Sequence, residues 1–149
     1  MTSMAELVRA ARAAGDVNQF VAAIPYARFL GISASADGGV LTARLASSDR
    51  IIGNPALPAI HGGVVGAFLE TVSILQLLWT SESIGIPKTI TITIDFLRSA
   101  GPHETFARAE VTKLGSRVAN VRAFAWQGDP AKPVTSANGN FLITPASDE

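Results

Sequence analysis

The stretch from His61 to Glu70 holds the residues of this chain that are best suited to chemistry on a carbonyl group. Glu70 is the single carboxylate within the long apolar run Val64–Trp79. A carboxylate removed from water costs free energy unless it has a partner or a task, so Glu70 is a candidate general base or nucleophile. The alternative is a solvated carboxylate at one end of the apolar stripe.

Two glycines follow His61 at the point where a long helix is expected to begin. Gly62 and Gly63 could simply permit a sharp turn from loop to helix. They could also leave backbone N–H groups bare at the positive end of the helix dipole, where a carbonyl oxygen would be polarised and an oxyanion stabilised. His61 itself could cap the helix, pack against it or take part in the reaction.

The spacing between His61 and Glu70 limits how they could cooperate. Nine positions on an ideal helix correspond to about 13 Å along the axis and about 180° around it. The two side chains therefore cannot both touch one reacting carbon within one chain. If both are catalytic, the site must combine two subunits.

The composition excludes several classes of protein. The chain has 149 residues, which suits a single domain spanning 1–149, and its formal net charge is zero, which argues against the basic face of a generic nucleic-acid binder. It has no cysteine, so disulfides, thiolate catalysis and zinc fingers are not expected. No secretory signal pattern is visible, and Glu70 interrupts an apolar run shorter than the roughly 20 residues that span a bilayer. We expect a cytoplasmic protein that does not enter a membrane.

The chain pattern predicts an α+β domain. An N-terminal helical extension occupies 1–24 with a break near Gly15, residues 48–60 form a loop, and one helix runs over 62–83. That helix is apolar nearly all round, so a curved antiparallel sheet of about six strands must wrap around it. The strands are a hairpin over 26–46 with its turn at Asp37-Gly38-Gly39, followed by a four-stranded meander that begins with the alternating segment KTITITIDF and continues through ETFARAEVTKLG, RVANVRAFAWQ and KPVTSANGNFLIT.

These motifs resemble those of the hotdog-fold acyl-CoA thioesterases, in particular the phenylacetate-degradation and 4-hydroxybenzoyl-CoA thioesterase type. The resemblance covers residues 25–144. It rests on Asn54, on His61-Gly62-Gly63 followed by Glu70, on the strand TITIDFLRSA and on the turn KLGSR. It implies a sheet wrapped around one helix, paired into a homodimer with two sites at the interface, or into a dimer of dimers.

The resemblance also implies roles for individual residues. Glu70 would attack the thioester carbonyl or activate water, the Gly62 N–H would polarise that carbonyl, Asn54 would place substrate or water, and His61 would orient the thioester end. The proposed contacts to substrate or coenzyme A are Gly63, Gly115, Ser116 and Arg117, the last three at the turn expected to meet the phosphates. Coenzyme A is then part of the substrate, and neither a further cofactor nor a metal is expected.

Other functions stay open at this point. A hotdog-fold hydratase or dehydratase would need an Asp and a His about five residues apart, and neither His61 nor His103 has an Asp at that upstream spacing. A non-catalytic acyl-CoA-binding protein and a structural oligomer with a solvated Glu70 are the remaining alternatives. Ser73 is the nearest polar residue one turn beyond Glu70 that could assist it. Medium-chain and aromatic acyl groups are both compatible with the sequence.

Overall fold

The computed structural model describes residues 2–81 and 84–146. The N-terminal part is helical, as predicted, and Gly15 ends the first helix in the left-handed conformation with φ of 67°. A side chain with a Cβ is strained at this φ, so the break falls at the glycine. The three short helices before the sheet are α1 (Met4–Ala14), α2 (Asn18–Val21) and α3 (Pro25–Leu30).

The predicted strand beginning at Tyr26 was wrong in its first part, because those residues form α3. Pro25 occupies the first turn of this helix, where its fixed φ is favourable and its missing N–H costs nothing. The hairpin itself is confirmed, with β1 (Ile32–Asp37) paired to β2 (Val40–Leu45) and Asp37 opposite Val40 across a two-residue turn.

The segment predicted as loop before the long helix contains regular structure. A short 3-10 helix (Asp49–Ile51) leads into a small hairpin of β3 (Ile52–Asn54) and β4 (Ala59–Ile60). Pro55 and Pro58 lie in the connection between these two strands. The prolines therefore predicted the turn correctly, but the short strands on either side of it were not predicted.

The long helix α4 (Gly62–Thr80) is the centre of the fold. By length and apolar composition alone it could cross a membrane, but most of it is buried inside the sheet, as expected of a core helix. It ends at Thr80, and Ser83, the last residue predicted for it, lies outside the described residues. Its buried apolar side chains are Val65, Phe68, Leu69, Val72, Leu75, Leu77, Leu78 and Trp79.

The remaining strands are β5 (Lys88–Phe96), β6 (Thr105–Leu114), β7 (Val118–Trp126) and β8 (Thr135–Leu142). All pairs are antiparallel, in the spatial order β1-β2-β6-β7-β8-β5. The predicted four-stranded meander was therefore only partly right. β6, β7 and β8 form a meander, whereas β5 pairs with β8 because β2 already occupies the other side of β6.

Small side chains on β7 let the sheet approach the helix closely. Ala119, Ala123 and Ala125 alternate along the strand and are all buried beneath α4. This placement agrees with the prediction drawn from the alanine pattern.

The two edges of the six-stranded sheet differ. On the β1 edge, the amide side chain of Asn18 donates to the Ala34 carbonyl at 2.9 Å and accepts from the Ala34 N–H at 2.8 Å. Asn18 thus takes the place of a neighbouring strand at this position. No other strand in the described part of the chain pairs with the outer side of β5, so that edge is open.

Candidate active site

The first turn of α4 contains one backbone N–H group without a hydrogen-bond acceptor among the described residues. The Gly63 N–H donates to His61 Nδ1 at 2.9 Å, and the N–H groups of Val64 and Val65 donate to the His61 carbonyl at 2.9 and 3.2 Å. The Gly62 N–H has no acceptor among the described residues. Gly62 is therefore the one residue of the first four whose N–H can meet a ligand.

An open groove lies between this end of α4 and β5, with a volume of about 490 Å³. Its only charged lining residue is Glu70. The other lining residues are small or apolar: Gly62, Gly63, Gly66 and Ala67 from the helix, and Ile92, Ile94 and Phe96 from the strand. A carboxylate and a free N–H thus share an otherwise apolar surface.

Three glycines of α4 lie so close to neighbouring side chains that there is little room for a Cβ. A Cβ on Gly62 would lie 3.3 Å from the Phe96 ring, and one on Gly63 would lie 3.0 Å from the His61 ring. A Cβ on Gly66 would lie 2.7 Å from Ile94 Cδ1. The glycines therefore permit tight packing around the groove, a role beyond the sharp turn and the bare donors that the sequence suggested for Gly62 and Gly63.

Glu70 is half-buried beside these glycines. No group in the described part of the chain donates a hydrogen bond to its carboxylate. Eight positions separate it from Gly62, which corresponds to about 12 Å along the helix and about 80° around it. The two residues face the same groove but cannot both contact one carbonyl group in one chain.

Asn54 stands apart from the groove in the single chain. It ends β3, is exposed, and its Oδ1 accepts from the Ala56 N–H at 2.9 Å. This is an Asx turn that shapes the β3–β4 connection. The structure gives Asn54 this local role, and Asn54 is not among the residues that line the groove with Glu70.

The turn expected to meet coenzyme A joins β6 to β7. Gly115 and Ser116 line a second cavity of about 460 Å³ beside Ser81, the residue that follows α4. The Arg117 side chain is exposed, while its carbonyl accepts from the Ile143 N–H at 2.9 Å. This turn and Gly62 lie at opposite ends of α4, about 28 Å apart along its axis, so one chain does not bring them together.

Ser73 is not the polar assistant that its sequence position suggested. It is buried, and its hydroxyl donates to the Leu69 carbonyl at 2.8 Å within the helix. Sequence reasoning also missed Gly66 as part of the groove. Gly66 could have been identified as an isolated glycine inside a helical pattern, four positions from both Gly62 and Glu70.

Comparisons with known proteins agree with this architecture. Residues 57–134 match the family model of the thioesterase superfamily, a range that includes Glu70 but not Asn54. None of the curated proteins matches the chain.

Three solved structures show the likeness over nearly the whole chain. A Chromobacterium violaceum protein is 37% identical with a TM-score of 0.74 and covers 95% of this chain and 96% of its own. A Pseudomonas aeruginosa protein is 30% identical with a TM-score of 0.73, covering 85% and 95%. A phenylacetic acid degradation-related protein of Ralstonia eutropha is 25% identical with a TM-score of 0.72, covering 85% and 98%.

The fold is the hotdog fold that the resemblance implied, with a six-stranded antiparallel sheet around one central helix. The family match covers more than half of the chain and includes the start of α4, the groove and the β6–β7 turn. The chain belongs to the thioesterase superfamily, whose general activity is thioester hydrolysis.

Proposed function

We propose that the protein hydrolyses acyl-CoA thioesters to a free acid and coenzyme A at a site shared by two subunits. The observation that carries the proposal is that Glu70 and a free Gly62 N–H line the same apolar groove. They lie too far apart for one chain to bring both to the same carbonyl group. A second copy placed across the open β5 edge would supply the missing donor to each carboxylate.

The chemistry follows from these two groups. The Gly62 N–H, at the positive end of α4, would donate to the thioester carbonyl oxygen and stabilise the oxyanion that forms there. Glu70 would take a proton from water as the water oxygen bonds to the carbonyl carbon. Alternatively, Glu70 would attack that carbon itself, and water would hydrolyse the resulting mixed anhydride to release the acid after the thiolate has left. In both routes the carbon–sulfur bond breaks and a thiolate leaves. Because thiolate is a good leaving group, no strong general acid is needed.

His61 and Gly63 have a supporting part in this proposal. His61 Nδ1 is already engaged by the Gly63 N–H. His61 would therefore hold the helix start in place, and Gly63 would give room for its ring and for the thioester. Asn54 keeps a free side-chain NH₂ beyond its turn contact, which could donate to substrate or water once a partner completes the site.

The ends of the substrate would meet different surfaces. Gly115, Ser116 and the exposed Arg117 would bind the phosphates of coenzyme A. The acyl group would lie against Ile92, Ile94 and Phe96, which favours a neutral, apolar acyl group since Glu70 would repel a second carboxylate. The likeness to a phenylacetic acid degradation-related protein agrees with an aromatic acyl group, and a medium chain fits the same surface.

A panel of neutral acyl-CoA esters, with free-thiol release as the readout, tests the proposal. The wild-type protein should hydrolyse at least one ester. Glu70→Gln keeps the shape of the side chain and removes its charge, so it should lower kcat on the best substrate by at least about 100-fold.

Glu110→Gln makes the same chemical change at an exposed position of β6 and should leave kcat unchanged. If the wild-type protein binds acyl-CoA without releasing thiol, the non-catalytic binding function is the better one. If Glu70→Gln hydrolyses at the wild-type rate, Glu70 is structural.

A further inference from the structure

Three flat side chains form an exposed stack on the helical part of the chain that precedes the sheet. The rings of Tyr26 and Phe29, both on α3, are nearly parallel, with centroids 6.0 Å apart and 12° between their planes. The guanidinium carbon of Arg50 lies 5.1 Å from the centre of the Phe29 ring. Tyr26 and Phe29 are 51% and 61% exposed. We call these three side chains the aromatic stack.

The aromatic stack is held in place by its own chain. Tyr26 and Phe29 are three positions apart on α3, so they lie on the same face of this helix. Arg50 Nη2 donates to the Phe29 carbonyl at 2.5 Å, and the Arg50 N–H donates to the Ser48 hydroxyl at 3.2 Å. A surface that is already ordered loses little conformational freedom when a ligand binds to it.

The aromatic stack also carries positive charge that can meet an anion. An arginine guanidinium has five N–H groups, and the Arg50 side chain uses one of them. In the described part of the chain nothing else accepts from this side chain, and the neighbouring Asp49 forms no ion pair with it. Helix α3 contains no carboxylate and holds a second exposed arginine, Arg28. Flat aromatic surface beside a guanidinium suits a planar ring that carries a phosphate.

The aromatic stack lies near the end of α4 that carries the Gly62 N–H. The His61 N–H donates to the Ile51 carbonyl at 2.8 Å, and Arg50 directly precedes Ile51. Bond lengths along this connection keep the Cα atoms of Arg50 and Gly62 within about 15 Å of each other. The arm of coenzyme A between sulfur and the first phosphate has about thirteen bonds, as many as roughly four residues of extended chain, and reaches about 15 Å. A thioester at Gly62 would therefore have its nucleotide within reach of the stack.

We propose that the aromatic stack binds the adenosine 3′-phosphate end of coenzyme A, with adenine against Tyr26 and Phe29 and the 3′-phosphate at Arg50. The inference rests on the proposed acyl-CoA substrate and names the part of it that α3 recognises. Every nucleobase has a flat π face that stacks on aromatic side chains, and the guanidinium gives charge-assisted hydrogen bonds to a phosphate. The diphosphate remains the part that Arg117 and its turn would bind.

The aromatic stack belongs to this chain rather than to the matched part of the family. Tyr26, Phe29 and Arg50 all precede residues 57–134, the range that matches the family model. The alternative occupant of the exposed rings is a second copy of the chain. The unpaired donors of Arg50 and its connection to His61 favour the nucleotide, because an apolar contact between copies would use neither.

A single fluorine label measures binding to the aromatic stack directly. Tyr26 is the only tyrosine of the chain, so protein made with 3-fluorotyrosine gives one fluorine NMR signal from this surface. Adenosine 3′,5′-bisphosphate, which is the nucleotide end of coenzyme A, should shift that signal saturably. Pantetheine, which lacks the nucleotide, should not shift it. The bisphosphate should bind more weakly to the labelled Arg50→Gln variant.

Kinetics with truncated substrates assign the two halves of the contact. Phe29→Leu keeps an apolar side chain and removes the aromatic face, so it should raise KM for the best acyl-CoA about 5-fold or more and leave KM for the acyl-pantetheine unchanged. Arg50→Gln should raise KM several-fold for acyl-CoA but not for the same ester of 3′-dephospho-coenzyme A. Val40→Ala, at an apolar side chain that is 48% exposed on β2, is the control and should change no KM.

The outcomes separate the nucleotide site from the proposed function. A fluorine signal that neither the bisphosphate nor acyl-CoA shifts overturns the site, and thiol release by the same protein would leave the activity standing. A saturable shift without thiol release from any ester supports the site and overturns the hydrolase. A signal that shifts with protein concentration but not with nucleotide assigns the aromatic stack to contacts between copies. Equal increases of KM for acyl-CoA and acyl-pantetheine in Phe29→Leu would also overturn the site.

Discussion

His61 and Gly63 form a closed cap at the start of α4. The Gly63 N–H donates to His61 Nδ1 at 2.9 Å, and a Cβ on Gly63 would lie 3.0 Å from the imidazole ring. The histidine and the second glycine therefore form one structural unit, and the first glycine is left with the free donor. This division of roles within His61-Gly62-Gly63 distinguishes residues that hold the site from the residue proposed to act on substrate.

The cap predicts how substitutions of His61 behave. His61→Asn keeps a side-chain acceptor suited to a helix N-cap and should leave the free energy of unfolding close to that of the wild type, with kcat reduced only a few-fold. His61→Ala removes the acceptor and should lower the free energy of unfolding by about 1 kcal/mol, measured by urea denaturation. A large loss of kcat in a fully folded His61→Asn would instead place the imidazole in the chemistry.

Gln76 joins the helix to the β1–β2 hairpin. Its Oε1 accepts from the Leu41 N–H at 3.0 Å, and its Nε2 donates to the Gly39 carbonyl at 2.7 Å and to the Thr80 hydroxyl at 3.1 Å. Gln76→Leu leaves the Leu41 N–H and the Gly39 carbonyl without their hydrogen-bond partner. It should lower the free energy of unfolding by at least about 2 kcal/mol.

Thr80→Val is the control for this prediction, because it removes only the contact at the exposed end of the helix and should cost less than about 1 kcal/mol. Chemical denaturation at equilibrium measures both variants. Equal losses would contradict the assignment of the two hairpin contacts to Gln76.

The Asn18 contact predicts an effect on both stability and assembly. Asn18→Ala removes two hydrogen bonds to Ala34 and should lower the free energy of unfolding by about 1 to 3 kcal/mol. It also frees the β1 edge, so light scattering should detect assemblies larger than those of the wild type. Gln19→Ala, at the next, exposed position, should change neither property. An unchanged Asn18→Ala would show that the helices cover this edge without it.

Arg117 is expected to affect binding more than chemistry. A remote phosphate contact provides uniform binding, so Arg117→Ala should raise KM for acyl-CoA with little change in kcat. The same variant should have an unchanged KM for an acyl-pantetheine that lacks the phosphates. Arg9→Ala, an exposed arginine on α1, serves as the control. If KM for acyl-CoA does not change in Arg117→Ala, this residue does not contact the substrate.

Much of the fold could be read from local patterns. The alternation of KTITITIDF predicted β5, the all-round apolar character of Val64–Trp79 predicted a buried helix, and Gly15 predicted a break. The helix α3 was missed because six residues beginning at Pro25 are too few for a helical period to stand out from a strand-like apolar run.

The relationships that failed were those between distant segments. The residues of β5 alone do not indicate that this strand pairs with β8 rather than with β6. The pairing depends on β2, which occupies the side of β6 that β5 would otherwise take. Gln76 reads as one polar residue in an apolar helix until the hairpin more than thirty positions earlier is placed beside it. At the site, the position of Glu70 within the long helix could be predicted from the sequence. The hydrogen bond from the Gly63 N–H to His61 and the Asx turn at Asn54 depend on the folded loop and could not be predicted from the sequence.

The most direct measurement of the shared site combines two inactive variants. Gly62→Pro removes the N–H and adds a side chain that meets Phe96. Proline suits the first position of a helix, and the ψ of 131° at His61 is compatible with a following proline. The substitution should lower kcat by about 100-fold or more, as expected for one lost oxyanion donor. Gly62→Ala keeps the N–H, meets Phe96 in the same way, and is the control.

Gly62→Pro and Glu70→Gln are then refolded together in equal amounts, and thiol release from the best acyl-CoA is compared with that of each variant alone. In a mixed dimer, the intact Glu70 of one chain and the intact Gly62 of the other meet at one of the two sites. Random pairing should therefore restore about a quarter of the wild-type activity. If the mixture is as inactive as the separate variants, Gly62 and Glu70 of different chains do not form a common site, and the proposed shared site is wrong.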